Sequence, residues 1–197
     1  ALKPLDTIPM LTSSRDLTTL AERLAREPRI AFDLEANGFF SYPERICLIQ
    51  VGFNGEAFLV DPLAIDNMEP LGKILADPNI EKILHSADYD VRSLDRDWGF
   101  RINGLYDTSI AAAFVGMERL GLGTGAQELL GVELPKSKRL QRANWGLRPL
   151  TEEAVNYAAG DVLHLMELRD LLGKRLAEKG RTEWAAEECT RLAGVRF

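Results

Sequence analysis

The sequence predicts an α/β domain built on a mixed β-sheet flanked by helices. Two observations point there: an early run of three strand-like segments, and a later alternation of a short strand with amphipathic helices. A third bounds the size. With 197 residues, 46% hydrophobic and 27% charged, the chain is long enough for one well-filled core and short for two.

The elements follow in order. Residues 14–26 carry Leu17, Leu20 and Leu24 at helical spacing, with Ser13 or Ser14 available as N-cap. Residues 29–34 read as a strand and run into a loop marked by Asn37-Gly38 and Tyr42-Pro43. Ile46–Phe53 and residues 57–60 read as two further strands, parted by the hairpin signal Asn54-Gly55, so that three strands form an antiparallel meander. A helix over 67–76 and a short strand at 82–84 come next, then helices over Asp88–Trp98, Thr108–Val115 and 125–130. A long helix is predicted from Thr151 to about Leu176, opened by a partial capping box in which Ala154 stands where Glu would complete it. Residues 183–192 read as a terminal amphipathic helix. A meander leading into βα units is the pattern of a ribonuclease H-like sheet.

No apolar run reaches membrane-spanning length, and the N-terminus shows no basic region followed by an apolar stretch. Cys47 and Cys189 lie far apart and suit a reducing compartment, so a cytoplasmic setting and no membrane partner are expected. The net charge of −6 argues against a nucleic-acid partner until its distribution is considered. Residues 134–151 contain no Asp or Glu but hold Lys136, Lys138, Arg139, Arg142 and Arg148, with Trp145 among them. Such a stretch can contact phosphates and stack on a base. Cations held by carboxylates elsewhere would also reverse the local sign of the field.

Acidic pairs supply the chemistry. Asp33 and Glu35 are two apart on a strand and project from one face, with Phe32 and Leu34 on the other. Like charges so close are best tolerated with a cation between them. Tyr157 and Asp161 are four apart on a helix, hence on one face, among the small or apolar Ala158, Ala159, Gly160 and Val162. A further acid lies on the helix starting near residue 88, where spacing does not choose between Asp88 and Asp90. Carboxylates without clustered Cys or His favour Mg²⁺ or Mn²⁺ over zinc, and His85 and His164 are too few and too separated for a zinc site. Two such ions can activate a water and stabilise both oxygens of a phosphodiester displacement, and a nearby tyrosine hydroxyl can orient that water.

Together these fragments resemble the 3′→5′ exonucleases of the DEDD superfamily, tyrosine subtype, and within it the ribonuclease D family, over residues 30–172. Phe32-Asp33-Leu34-Glu35 is similar to the first motif. His85-Ser-Ala-Asp-Tyr-Asp90 is similar to the second, and there the resemblance selects Asp90. Tyr157 through Val162 is similar to the third. Ile46-Cys-Leu-Ile-Gln50, Asp107-Thr108 and Trp145-Gly-Leu-Arg148-Pro149-Leu150 resemble further family elements. The related histidine subtype has His where this chain has Asn156. The resemblance implies that Asp33, Glu35, Asp90 and Asp161 hold two divalent cations, Mg²⁺ or Mn²⁺, and that Tyr157 positions the attacking water. It places His85 and Gln50 close to the site, for substrate contact or for a structural role, and implies substrate contacts from Lys138, Gln141, Trp145 and Arg148. Ala143 and Asn144 depart from the family's Ser-Asp, and Gly160 from its Ala.

The expected activity is release of nucleoside 5′-monophosphates from the 3′ end of single-stranded RNA. A DNA exonuclease of the same fold and a catalytically inactive RNA-binding scaffold are the alternatives. One nuclease domain is expected over 1–197. The helical RNA-binding domains of ribonuclease D are not expected within the chain, which is then either a minimal nuclease or a truncated piece of a longer protein.

Overall fold

The computed structural model describes residues 8–135 and 137–197; Lys136 of the basic stretch lies outside them. Among the described residues, a six-stranded mixed sheet runs in the order β1-β4-β3-β2-β5-β6. The strands are β1 (Met10–Leu11), β2 (Arg29–Ala36), β3 (Ile46–Phe53), β4 (Glu56–Val60), β5 (Glu81–Leu84) and β6 (Leu105–Asp107). β2, β3 and β4 form the expected antiparallel meander, while β1 joins β4, β5 joins β2 and β6 joins β5 in parallel. Asn54 and Gly55 both take positive φ, 53° and 72°, the backbone that a tight hairpin turn between twisted strands demands. β1 and β6 were not expected. Two and three residues are too few to show periodicity, and both exist because a neighbouring strand offers unpaired backbone.

Helices cover both faces. α1 (Ser14–Leu24), α2 (Glu69–Ala76) and α3 (Asp88–Trp98) pack their apolar stripes on one side, where Ile30, Phe32 and Leu34 of β2 meet Leu17, Leu71, Val91 and Leu94. Ser13 caps α1 by accepting the Asp16 N–H. On the other side α7 (Glu152–Leu163) lies across β3, β4 and β2, capped by Thr151, whose hydroxyl accepts the Ala154 N–H. Its small residues let it approach closely. Ala158 and Ala159 are fully buried, and a Cβ on Gly52 of β3 would come within 2.9 Å of the Val162 carbonyl oxygen.

The predicted long helix divides at His164, and α8 (Leu165–Glu178) continues in a new direction. No glycine or proline marks the break. Packing sets it: α7 is committed to the sheet, whereas α8 packs Leu168, Leu172 and Leu176 against Ala111, Ala112 and Val115 of α4 (Thr108–Val115). α5 (Leu122–Gly125) runs into a π-helical turn, Ala126–Leu130, where a single short helix was expected, and the basic stretch forms a four-residue helix, α6 (Lys138–Gln141). α9 (Thr182–Ala193) closes the chain. No described helix is long and apolar enough to cross a membrane.

Candidate active site

β2 lies near the centre of the sheet and presents Ala31, Asp33 and Glu35 toward α7. Beyond Ala31 that face carries carboxylates where a core residue would otherwise sit. Tyr157 and Asp161 descend onto them from one face of α7. Carboxylate oxygens of Asp33, Glu35 and Asp161 all fall within 4.8 Å of one another. Asp90, in the first turn of α3, stands outside that trio, and is 4% exposed and close enough for Asp33 and Glu35 to act on its ionisation. Asp88 faces solvent instead and pairs with Arg92 one turn on.

Burial and mutual repulsion raise the affinity of these acids for protons. Burial lifts Asp33 to about 6, against a backbone N–H from Leu34 and a hydrogen bond with Asp161. Asp161 rises to about 10, first through burial and then through Asp33 and Glu35. Glu35 and Asp90 are pushed well above the usual carboxylate range by burial and then by the Asp33 charge. Three half-buried acids and the buried Asp90, with no ion-pair partner among the described residues, are costly as anions, and a divalent cation relieves that cost directly. Oxygen-only donors in this arrangement fit a hard cation such as Mg²⁺ or Mn²⁺.

Tyr157 is 8% exposed, stacked on Trp145 with ring centroids 6.1 Å apart. Burial, then Asp161 and Glu35, raise its phenol well above the ordinary value, while a hydrogen bond with Gln141 opposes the rise. The hydroxyl therefore stays protonated at neutral pH. Two clefts flank the carboxylates. One, of about 600 Å³, is lined by Asp33, His85, Lys138, Gln141, Tyr157 and Asp161 and walled by the Gly121–Thr124 segment and Pro135. The other, of about 490 Å³, is lined by Asp33, Glu35, Asp90, Glu44, Phe39 and Tyr89, with His85 and Gln141 shared between the two.

The residues expected to touch substrate divide. Lys138 and Gln141 reach the first cleft. His85 lines both clefts, but its Nδ1 lies 2.7 Å from the Thr108 hydroxyl and its Nε2 2.6 Å from the Leu120 carbonyl oxygen. Burial lowers its pKa. Gln50, register partner of Asp33, is fully buried; its amide lies beside Glu35 and opposes that acid's rise, yet neither amide atom has a partner at hydrogen-bonding geometry.

Trp145 and Arg148 depart from the expectation. Trp145 is 1% exposed within a core cluster and supports Tyr157, so its ring faces are not open to a base. Arg148 spends all five N–H donors inside the protein, on the Asp61 carboxylate and the carbonyls of Cys47, Trp145 and Leu147. It is a strut tying the loop before α7 to β3, and it has no donor left for a phosphate.

The resemblance placed Asp107 at a helix start but gave it no part in the site. Buried at the junction of β6 and α4, its carboxylate accepts from Ser86 N, Ala87 N, Ser109 N and Ser109 Oγ. It thereby fixes the left-handed Ser86 (φ 56°) and the start of the helix that carries Asp90. An Asp immediately before a helix was a legible cap; its reach to Ser86 was not. The cleft walls at 121–124 and the aromatic cluster Phe39, Phe40, Tyr42 were also missed, although run-together glycines and aromatics beside an acidic motif were visible signals.

Known proteins share this fold. A family profile described as 3′-5′ exonuclease matches residues 8–177. The chain is 36% identical over 182 residues to a ribonuclease D of Gluconacetobacter diazotrophicus, covering 91% of this chain and 46% of that protein. It superposes on the catalytic core of RRP6 from Trypanosoma brucei with TM-score 0.92 and 33% identity, over 100% of this chain and 55% of that one. Against Brucella melitensis NrnC with bound Mg²⁺ the TM-score is 0.76 at 26% identity, over 94% and 87% of the two chains. The chain spans about half the length of the curated ribonuclease D relatives it matches.

Proposed function

Because this chain belongs to the 3′-5′ exonuclease family, we propose that it is a metal-dependent 3′→5′ exoribonuclease, a single nuclease domain that releases nucleoside 5′-monophosphates from single-stranded RNA. The observation that carries this reading is the half-buried Asp33–Glu35–Asp161 cluster with Tyr157 on the same face of α7 as Asp161. Asp33, Glu35, Asp90 and Asp161 would hold two divalent cations, Mg²⁺ or Mn²⁺. Such ions supply charge stabilisation at a phosphodiester and a water of lowered pKa.

The chain's own groups do the rest. The Tyr157 phenol stays protonated and is held by Gln141 and the Trp145 ring, so it orients the attacking water by hydrogen bonding and leaves the proton to another acceptor. Gln50, beside Glu35, favours that acid's ionised form. His85, anchored by Thr108 and Leu120, shapes the wall between the clefts. Lys138 offers a positive charge to the departing strand. Attack on the terminal phosphorus breaks its bond to the 3′ oxygen of the preceding nucleotide. That oxygen leaves with the shortened RNA, and the phosphate leaves on the released nucleotide. Buried, reduced Cys47 and Cys189 support a cytoplasmic setting.

The test is cleavage of 5′-labelled RNA and DNA of one sequence with Mg²⁺, with Mn²⁺ and with chelator. Laddering from the RNA 3′ end that requires metal and vanishes in Asp33→Ala and Asp161→Ala is expected. Activity surviving chelator would refute the metal reading, faster cleavage of DNA would reassign the substrate, and RNA binding without cleavage would favour a scaffold.

A further inference from the structure

Four of the eight large hydrophobic side chains exposed among the described residues come from the β2–β3 loop and the first turn of α3. Phe39, Phe40 and Tyr42 are 71%, 57% and 99% exposed in the loop between β2 and β3, and Tyr89 of α3 is 45% exposed. Phe39 and Tyr89 line the same cleft as Glu35 and Asp90. Three chain steps place the Tyr42 Cα within about 11 Å of the Phe39 Cα.

The loop is held in shape. The Asn37 carbonyl accepts from Phe40 N and Ser41 N, and the Asn37 side chain accepts from Arg45 N. The Tyr89 hydroxyl bonds Glu44, which also meets Arg96, and Asp97 bonds both Arg96 and Ile46 N. A surface that keeps aromatic rings in water on a pinned loop is preorganised for a planar partner. Before cations bind, the cleft it adjoins carries Asp33, Glu35, Glu44 and Asp90, which repel phosphates. In that state affinity at this side must come from contacts that need no positive charge, and base–aromatic stacking is such a contact.

Resting on the exonuclease reading, we propose that Phe40, Tyr42 and Tyr89 form a stacking platform for bases of single-stranded RNA lying 5′ of the terminal nucleotide. Continuity of Phe39 and Tyr89 with the acid-lined cleft and the aromatic character of all four side chains favour nucleobases over a protein surface. Sequence preference on such a platform is weak, because every base has a π face.

The test is a thermodynamic cycle. Fluorescence anisotropy with 5′-labelled eight-nucleotide RNA, in chelator to prevent turnover, compares the parent with a Phe40→Ala/Tyr42→Ala variant. An abasic site is stepped through positions two to five from the 3′ end. The double substitution should weaken binding about five- to hundredfold, and at one or more positions the abasic site should weaken the parent similarly yet leave the variant little changed. Tyr42→Trp should restore affinity lost in Tyr42→Ala, which a folding defect would not. Equal affinity of parent and variant, or losses that multiply at every position, overturns the platform while leaving the exonuclease reading intact. So does a variant whose sole change is loss of self-association in sedimentation. A parent that neither binds nor cleaves RNA overturns both.

Discussion

Replacing Asp107 tests whether one buried carboxylate sets the position of the helix that bears Asp90. Its four hydrogen bonds come from three backbone N–H groups and one hydroxyl, and the residue is 1% exposed. Asp107→Ala strands three N–H groups, that of Ala87 buried and those of Ser86 and Ser109 partly so. At about 1–3 kcal/mol each, with the lower end favoured where water can enter the truncated site, the loss is about 3–5 kcal/mol. Asp107→Asn, with its oxygen in the Oδ1 position, keeps the bonds from Ser86 and Ser109. It turns a donor toward the Ala87 N–H and loses one charge-assisted bond, about 1.5–3 kcal/mol. The Asn variant should therefore sit between parent and Ala variant in urea denaturation at pH 7 with chelator present. Hydrogen exchange should show increased opening at the start of α3. An Ala variant within about 1 kcal/mol of the parent, or an Asn variant as damaged as the Ala variant, would refute the reasoning.

The carboxylate cluster predicts a pH dependence in chelated protein. The folded pKa values of Asp33 and Asp161, about 6 and about 10, lie above the ordinary 3.8, so the folded state binds more protons than the unfolded state. The stability these groups supply is complete below about pH 4 and fades as pH rises through the folded values. Thermal melts should fall by at least about 3 °C from pH 5.5 to 8, Mg²⁺ or Mn²⁺ should recover the loss at pH 8, and a flat profile would contradict this. Tyr157→Phe should turn over RNA at least about tenfold more slowly, while Mn²⁺ affinity measured by calorimetry stays within about twofold; equal turnover would remove the water-orienting role. Gly52→Ala should cost about 1–3 kcal/mol in urea melts by pushing α7 from β3, since the new Cβ would stand 2.9 Å from the Val162 carbonyl oxygen; a neutral substitution would show slack there. Arg148→Lys should destabilise by about 2–4 kcal/mol with unchanged salt dependence of RNA binding, because its donors serve Asp61 and carbonyls and no phosphate.

The meander and the pairings within Asp-x-Glu and Tyr-x-x-x-Asp were legible because strand and helix periods alone fix which side chains share a face. That β2 and α7 bring the two pairs together is a tertiary fact, and only the family resemblance anticipated it. Asp88 and Asp90 illustrate the limit: two steps apart on a helix, they point to solvent and to the site, and nothing local distinguishes them. The break at His164 was illegible because every residue around it tolerates a helix. The misplaced expectations for Trp145 and Arg148 share a cause, since basic and aromatic residues serve a core as readily as a substrate when a carboxylate such as Asp61 waits for them.

The meander is completed within residues 29–60, yet the acids it exposes wait for Asp161 on a helix that arrives a hundred residues later. β2 and β3 can pair while the chain is still being synthesised, with Asp33 and Glu35 open to water. No fragment ending before α7 contains the full acid set. Under the proposed exonuclease reading, a nascent chain that stops short of α7 lacks Asp161 and Tyr157, two of the five groups on which attack on RNA would depend.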